Sequence, residues 1–122
     1  MSTSEQFDLV FADLRKIMLD VAGDLEIVRD DPGDLYIDTR HVMKNKKPLF
    51  FGAVNIRKRY VAYHLMPVYV SPALLENISD RLRSRMQGKS CFNFTCVDAE
   101  LNKELAQLTK AGYHFYANEG YR

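Results

Sequence analysis

The chain of 122 residues is one domain's worth, and a globule of that size buries roughly two thirds of the surface its unfolded form exposes. With 47% hydrophobic and 27% charged residues and only two cysteines, it is neither disordered nor fibrous nor a disulfide scaffold. The formal net charge of +1 conceals a division: Met1 to Thr39 carries ten acidic and three basic residues, and Arg40 to Arg59 carries seven basic residues and no acid.

The start of the chain has no basic stretch ahead of an apolar run, so no signal peptide is expected. Apolar runs are only a few residues long, far short of the roughly 20 needed to cross a bilayer. A soluble, cytoplasmic protein with no membrane partner is the expectation. Cys91 and Cys96 lie five apart on one strand and its exit, facing opposite ways, which argues against a disulfide and suits a reducing compartment.

From Gln6 to Ala22, Phe7, Val10, Phe11, Leu14, Ile17, Met18 and Val21 recur at helical spacing. Ser2 with Glu5, or Ser4 alone, can cap this helix, and Gly23 is expected to end it in a left-handed conformation. Leu25 to Arg29 and Leu35 to Asp38 read as a hairpin closed by a type II turn at Asp31-Pro32-Gly33-Asp34. His41 to Pro48 reads as a basic loop, and Leu49 to Ile56 and Tyr60 to Met66 as strands joined by Arg57-Lys58-Arg59. Ser71-Pro72 opens a second helix predicted to run to Met86, stopped by Gly88. A strand over Cys91 to Cys96 follows. Asp98 caps a third helix carrying Leu101, Leu105 and Leu108, which Gly112 either ends or weakens. The order αββββαβα predicts a single-domain α+β two-layer sandwich, a mainly antiparallel sheet with helices packed on one face.

Three groups of residues carry candidate chemistry. Asp13, Asp20 and Asp24 fall on one stripe of the first helix, and Asp20 and Asp24 are close enough to share a divalent cation such as Fe²⁺, Mn²⁺ or Mg²⁺. The plainer reading is a solvated acidic face. The cations at Arg40, Lys44, Lys46, Lys47, Arg57, Lys58 and Arg59, with Arg81, Arg83, Arg85 and Lys89 later, suit a small anionic ligand better than nucleic acid, because the pI near 7.8 is low for a nucleic-acid module. Here the plainer reading is a solvated or self-pairing surface. Gly88-Lys89-Ser90 is not a phosphate-binding P-loop: Arg83 stands where its leading glycine belongs, and the segment leads into a strand rather than a helix. On the later strands, alternation allows one face to gather Tyr60, His64, Cys91 and Asn93. A Cys91–His64 nucleophilic dyad is one use of that face; a packed thiol and a histidine satisfied by the backbone is the plainer one.

Lys58-Arg59-Tyr60-Val61-Ala62-Tyr63-His64-Leu65-Met66-Pro67-Val68-Tyr69 and Arg85-Met86-Gln87-Gly88-Lys89-Ser90-Cys91-Phe92-Asn93-Phe94 together resemble the YdhG-like family of small bacterial cytosolic domains. The resemblance runs through most of the chain, including the Phe50-Phe51-Gly52 strand. It implies an α+β fold and points to Lys58, Tyr60, Lys89 and Phe94 as positions to test. Some members are described as frataxin-like iron chaperones, and that role would fall here on Asp13, Asp20, Asp24 and Glu26. The function expected is a non-enzymatic binding domain for a small anionic ligand at Lys58, Tyr60, His64, Lys89, Cys91 and Asn93. The alternative is an iron-binding or iron-delivery protein with Asp20 and Asp24 as metal ligands. No other cofactor is expected. The acidic and basic segments either mark opposite ends of one molecule or meet across a homodimer.

Overall fold

A computed structural model of the chain describes residues 2–122. Its elements in chain order are α1 (Thr3–Ala22), β1 (Glu26–Asp31), β2 (Asp34–Val42), β3 (Pro48–Ile56) and β4 (Val61–Leu65). There follow α2 (Pro67–Val70), a 3₁₀ turn (Pro72–Leu75), α3 (Asp80–Arg83), β5 (Met86–Gln87), β6 (Cys91–Phe94) and α4 (Ala99–Glu119). The strands form one wholly antiparallel sheet in the order β1-β2-β3-β4-β6-β5. The helices pack on one face, as the apolar patterning requires.

Ser2 caps α1: its hydroxyl accepts from the Glu5 N–H at 3.1 Å and donates to the Glu5 carboxylate at 3.0 Å, leaving Phe7, Val10, Phe11, Leu14 and Met18 as the buried stripe. Asp98 caps α4 through the Leu101 N–H, burying Leu101, Leu105, Leu108, Thr109 and Tyr116. These two stripes close over Leu35, Ile37, Phe51, Val54, Val61, Tyr63, Leu65, Phe92 and Phe94 of the sheet. Inside this core the Tyr63 hydroxyl meets Thr109 Oγ1 at 2.6 Å, tying β4 to α4. The Tyr116 hydroxyl donates to the Phe50 carbonyl at 2.9 Å, where β3 bulges so that Phe51 turns toward the helices.

Several boundaries differ from the sequence expectation, each for a local reason. Gly33, at φ +73°, sits where the type II turn needs it, but the strands run on to the turn itself, with Asp31 opposite Asp34. Strand β2 continues through His41 to Val42, which pairs with Pro48, so the basic loop shrinks to residues 43–47. Thr39 makes this possible: its hydroxyl donates to the Leu49 carbonyl at 2.8 Å and accepts from the His41 N–H across the irregular register. Gly23 ends α1 in the right-handed region, at φ −66°.

The short α2 stands where no helix was expected, and the predicted second helix after it, Ser71 to Met86, breaks into the 3₁₀ turn and α3, with Met86 in β5. Its cap is Ser79, not Ser71: the Ser79 hydroxyl accepts from the Leu82 N–H while its N–H and hydroxyl both donate to the Glu104 carboxylate on α4. Asn77 followed by Ser79-Asp80 places cap formers in mid-segment, where they compete with helix. Gly88 consequently lies in the β5–β6 turn rather than at a helix end. Gly112 neither ends nor interrupts α4, which continues to Gly120. A Cβ at Gly112 would stand 2.9 Å from the Pro67 ring, so glycine here is a packing requirement between α4 and α2.

Candidate functional site: the open face of the sheet

Alternation along each strand that buries one side chain in the helix layer turns the next toward the uncovered face. The register then aligns one residue from each of the six strands in a lateral row: Arg29, Tyr36, Ala53, His64, Cys91 and Gln87. The row beside it, two residues along, runs Asp34, Asn55, Ala62 and Asn93. Phe50 stands on the other side of the first row, stacked on Tyr36 at 4.7 Å between ring centroids and edge-on to His64 at 4.8 Å.

Ala53 is small where its neighbours are large, and that size step makes a hollow. Its volume is about 510 Å³, and Arg29, Asp34, Tyr36, Phe50, Asn55, Arg57 and His64 rise around Ala53. The size falls within the range of small-molecule sites, roughly 300–1,000 Å³. A smaller hollow of about 210 Å³ lies where β6 meets α4, and there Arg81 already bridges Asp98 and Glu100.

The charges in the larger hollow are unevenly committed. Arg29 holds Asp34 at 2.8 Å and lies over the Tyr36 ring at 4.9 Å, and this hydrogen bond raises its pKa. Asp34 also accepts from the Asn55 amide at 2.6 Å. Arg57 makes no ion pair among the described residues. Burial pushes the Cys91 thiol pKa up, and the Arg57 charge opposes it, so the guanidinium acts across the open face as well as at the turn. The thiol form is favoured, the opposite of what a nucleophilic dyad needs. Burial lowers the His64 pKa and keeps the imidazole neutral, with Nε2 hydrogen-bonded to the Ser90 hydroxyl at 2.8 Å rather than to Cys91.

Of the residues expected at the ligand site, His64, Cys91 and Asn93 share this face, with the Asn93 amide donating to Gln87. Tyr60 is half-buried at the end of the β3–β4 turn, where its carbonyl accepts from the Arg57 N–H. Lys58 and Lys89 are exposed at turns beyond opposite ends of β4, so they do not converge. Asp20 is bound by Lys16 at 2.6 Å, and Asp24 accepts from the Tyr113 hydroxyl at 2.7 Å. Among the described residues no three His, Cys, Asp or Glu side chains cluster in a metal-holding arrangement. No described helix is long and apolar enough to cross a membrane.

Tyr36, Phe50 and Ala53 escaped the sequence reading. Tyr36 lies between the buried Leu35 and Ile37, so alternation alone marks it as facing outward. Phe50 is harder, because its orientation depends on the bulge. Comparison with known proteins returns no matching family model, no matching curated protein and no matching solved structure.

Proposed function

We propose that the protein is a non-enzymatic binding domain for a small ligand with an apolar body and an anionic group, held on the open face of the sheet. The observation that carries this reading is the hollow over Ala53, where two aromatic rings and a neutral imidazole stand beside an arginine with no carboxylate partner. The ligand's apolar body packs on Phe50 and Tyr36, and its anion pairs with Arg57. Membership of the YdhG-like family belongs to the same proposal. It is supported by the two motif stretches, whose strands β4 and β6 lie side by side.

Benzoate and phenyl phosphate are suitable probes. Titrated into isotope-labelled protein, they are expected to move the resonances of Phe50, Ala53 and His64. Arg57→Gln should weaken binding about 10- to 100-fold, the range for losing a charge-assisted hydrogen bond. Shifts confined to other surfaces, or equal affinity in wild type and Arg57→Gln, would overturn the reading.

A further inference from the structure

A different surface forms at the end of the sheet remote from Arg57. The residue 43–47 turn between β2 and β3, helix α2, the β5–β6 turn and Tyr121 meet there. The Met66 N–H donates to the Phe51 carbonyl, which seats α2 beside the β2–β3 hairpin. An apolar hollow of about 350 Å³ lies on one flank of α2, lined by His41, Met43, Lys44, Leu49, Val70 and Tyr121. A second, of about 410 Å³, lies on the other flank, with Tyr69, Leu75, Met86 and Lys89 in its wall. On α2, which lies between them, Tyr69 and Val70 are 55% and 41% exposed, and Val42, 60% exposed, ends β2 between His41 and Met43 of the first hollow.

The surroundings are cationic. No acidic residue occurs from Arg40 to Leu75, although Glu76 follows it and Glu119 stands two residues before Tyr121. Arg83 adds a cation to the second hollow, and Lys44, Lys46, Lys47 and Lys89 make no ion pair among the described residues. Exposed aliphatic and tyrosine side chains ringed by uncompensated lysines match an anionic lipid–water interface, where apolar groups leave water and cations meet phosphate. Two other occupants fit less well. An amphipathic acidic helix needs one continuous groove, whereas α2 divides this apolar surface in two. Nucleic acid would leave Val42 and Val70 without a partner, because a phosphate backbone gives aliphatic side chains nothing to pack on.

We infer that this end of the molecule docks on anionic membrane surfaces, with Val42, Tyr69 and Val70 at the depth of the headgroups and the four lysines on lipid phosphates and carboxylates. The protein lies on the bilayer and does not span it.

Co-sedimentation with vesicles tests this. The full chain should bind phosphatidylcholine vesicles containing phosphatidylserine, release at high salt, and ignore vesicles of phosphatidylcholine alone. Lys44→Gln/Lys46→Gln/Lys47→Gln should weaken binding about 100-fold, on the order of fivefold per lysine. Val42→Ser/Tyr69→Ser should weaken it with the lysines intact, and Lys58→Gln/Arg59→Gln at the other end should leave it unchanged. All three variants alter exposed side chains, and circular dichroism verifies their folding. The inference is overturned if anionic vesicles are not bound, if Lys58→Gln/Arg59→Gln weakens binding as much as the triple variant, or if poly-glutamate or duplex DNA is bound more tightly than the vesicles.

Discussion

The hydrogen bond between Tyr63 and Thr109 makes an asymmetric prediction. Both residues are fully buried. The Thr109 hydroxyl donates to the Leu105 carbonyl at 2.8 Å, so its proton is committed and the Tyr63 phenol must be the donor in the 2.6 Å contact. Tyr63→Phe removes that donor and leaves Thr109 still bonded to its own helix, at a cost of about 1 kcal/mol. Thr109→Val is close in shape and in helix propensity, but it strands a phenol in the core. The penalty for such an unpaired donor adds about 1–3 kcal/mol. The double variant has neither polar group, so adding Tyr63→Phe to Thr109→Val should restore about 1–2 kcal/mol. Urea unfolding resolves this, since 1 kcal/mol moves the midpoint by roughly 0.5 M for a chain of this size. If the double variant is as unstable as the two single losses added together, the donor assignment and the dry environment of Tyr63 are both wrong.

Burial raises the pKa of Tyr63 and Tyr116 well above the usual tyrosine value. The unfolded chain therefore releases these protons first, and above about pH 10 stability should fall by roughly 1.4 kcal/mol per pH unit for each tyrosine. Urea midpoints between neutral and strongly alkaline pH measure this, and Tyr63→Phe should flatten the slope. His64 has the opposite sign: burial lowers its pKa, so the stability held by the neutral imidazole is present above about pH 6.5 and is lost as pH falls through the folded value. An NMR titration of the His64 ring should show a midpoint below 6.5, and a midpoint above it would refute a buried neutral ring. Gly112→Ala should gain about 1 kcal/mol in helix propensity but force its methyl against the rigid Pro67 ring, for a net loss of stability. A raised melting temperature would mean that α2 yields without cost.

The sequence made the helix layer legible because burial there leaves a periodic trace. The α1 stripe, the Asp98 cap and the alternation in β3 and β4 each state which side faces the core. Where a single residue carries two messages, the reading divides. Gly112 looks like a helix stop locally and is a close approach to Pro67 in space. Ser71-Pro72 looks like a helix start, yet Ser79 takes that role because Glu104, 25 positions along the chain, holds its N–H and hydroxyl. The open face is the least legible part. Its membership depends on register, which the bulge at Phe51 resets, so alternation places His64, Cys91 and Asn93 together and misses the Phe50 ring beside them.

The basic segment acquires two meanings once β3 is in place. Its seven cations divide between the two ends of that strand: Arg40, Lys44, Lys46 and Lys47 at its start, and Arg57, Lys58 and Arg59 past its end. Nine extended residues separate the groups by roughly 27 Å. Screening at physiological salt falls off over about 8 Å, so the two groups do not sense each other, and the proposed ligand and docking surfaces would draw on different cations. A crossed experiment follows from that distance. Arg57→Gln should weaken benzoate binding and leave vesicle binding alone, while Lys44→Gln/Lys46→Gln/Lys47→Gln should do the reverse. If either variant moves both readouts at physiological salt, the segment is one electrostatic surface, and the division into a ligand end and a docking end fails.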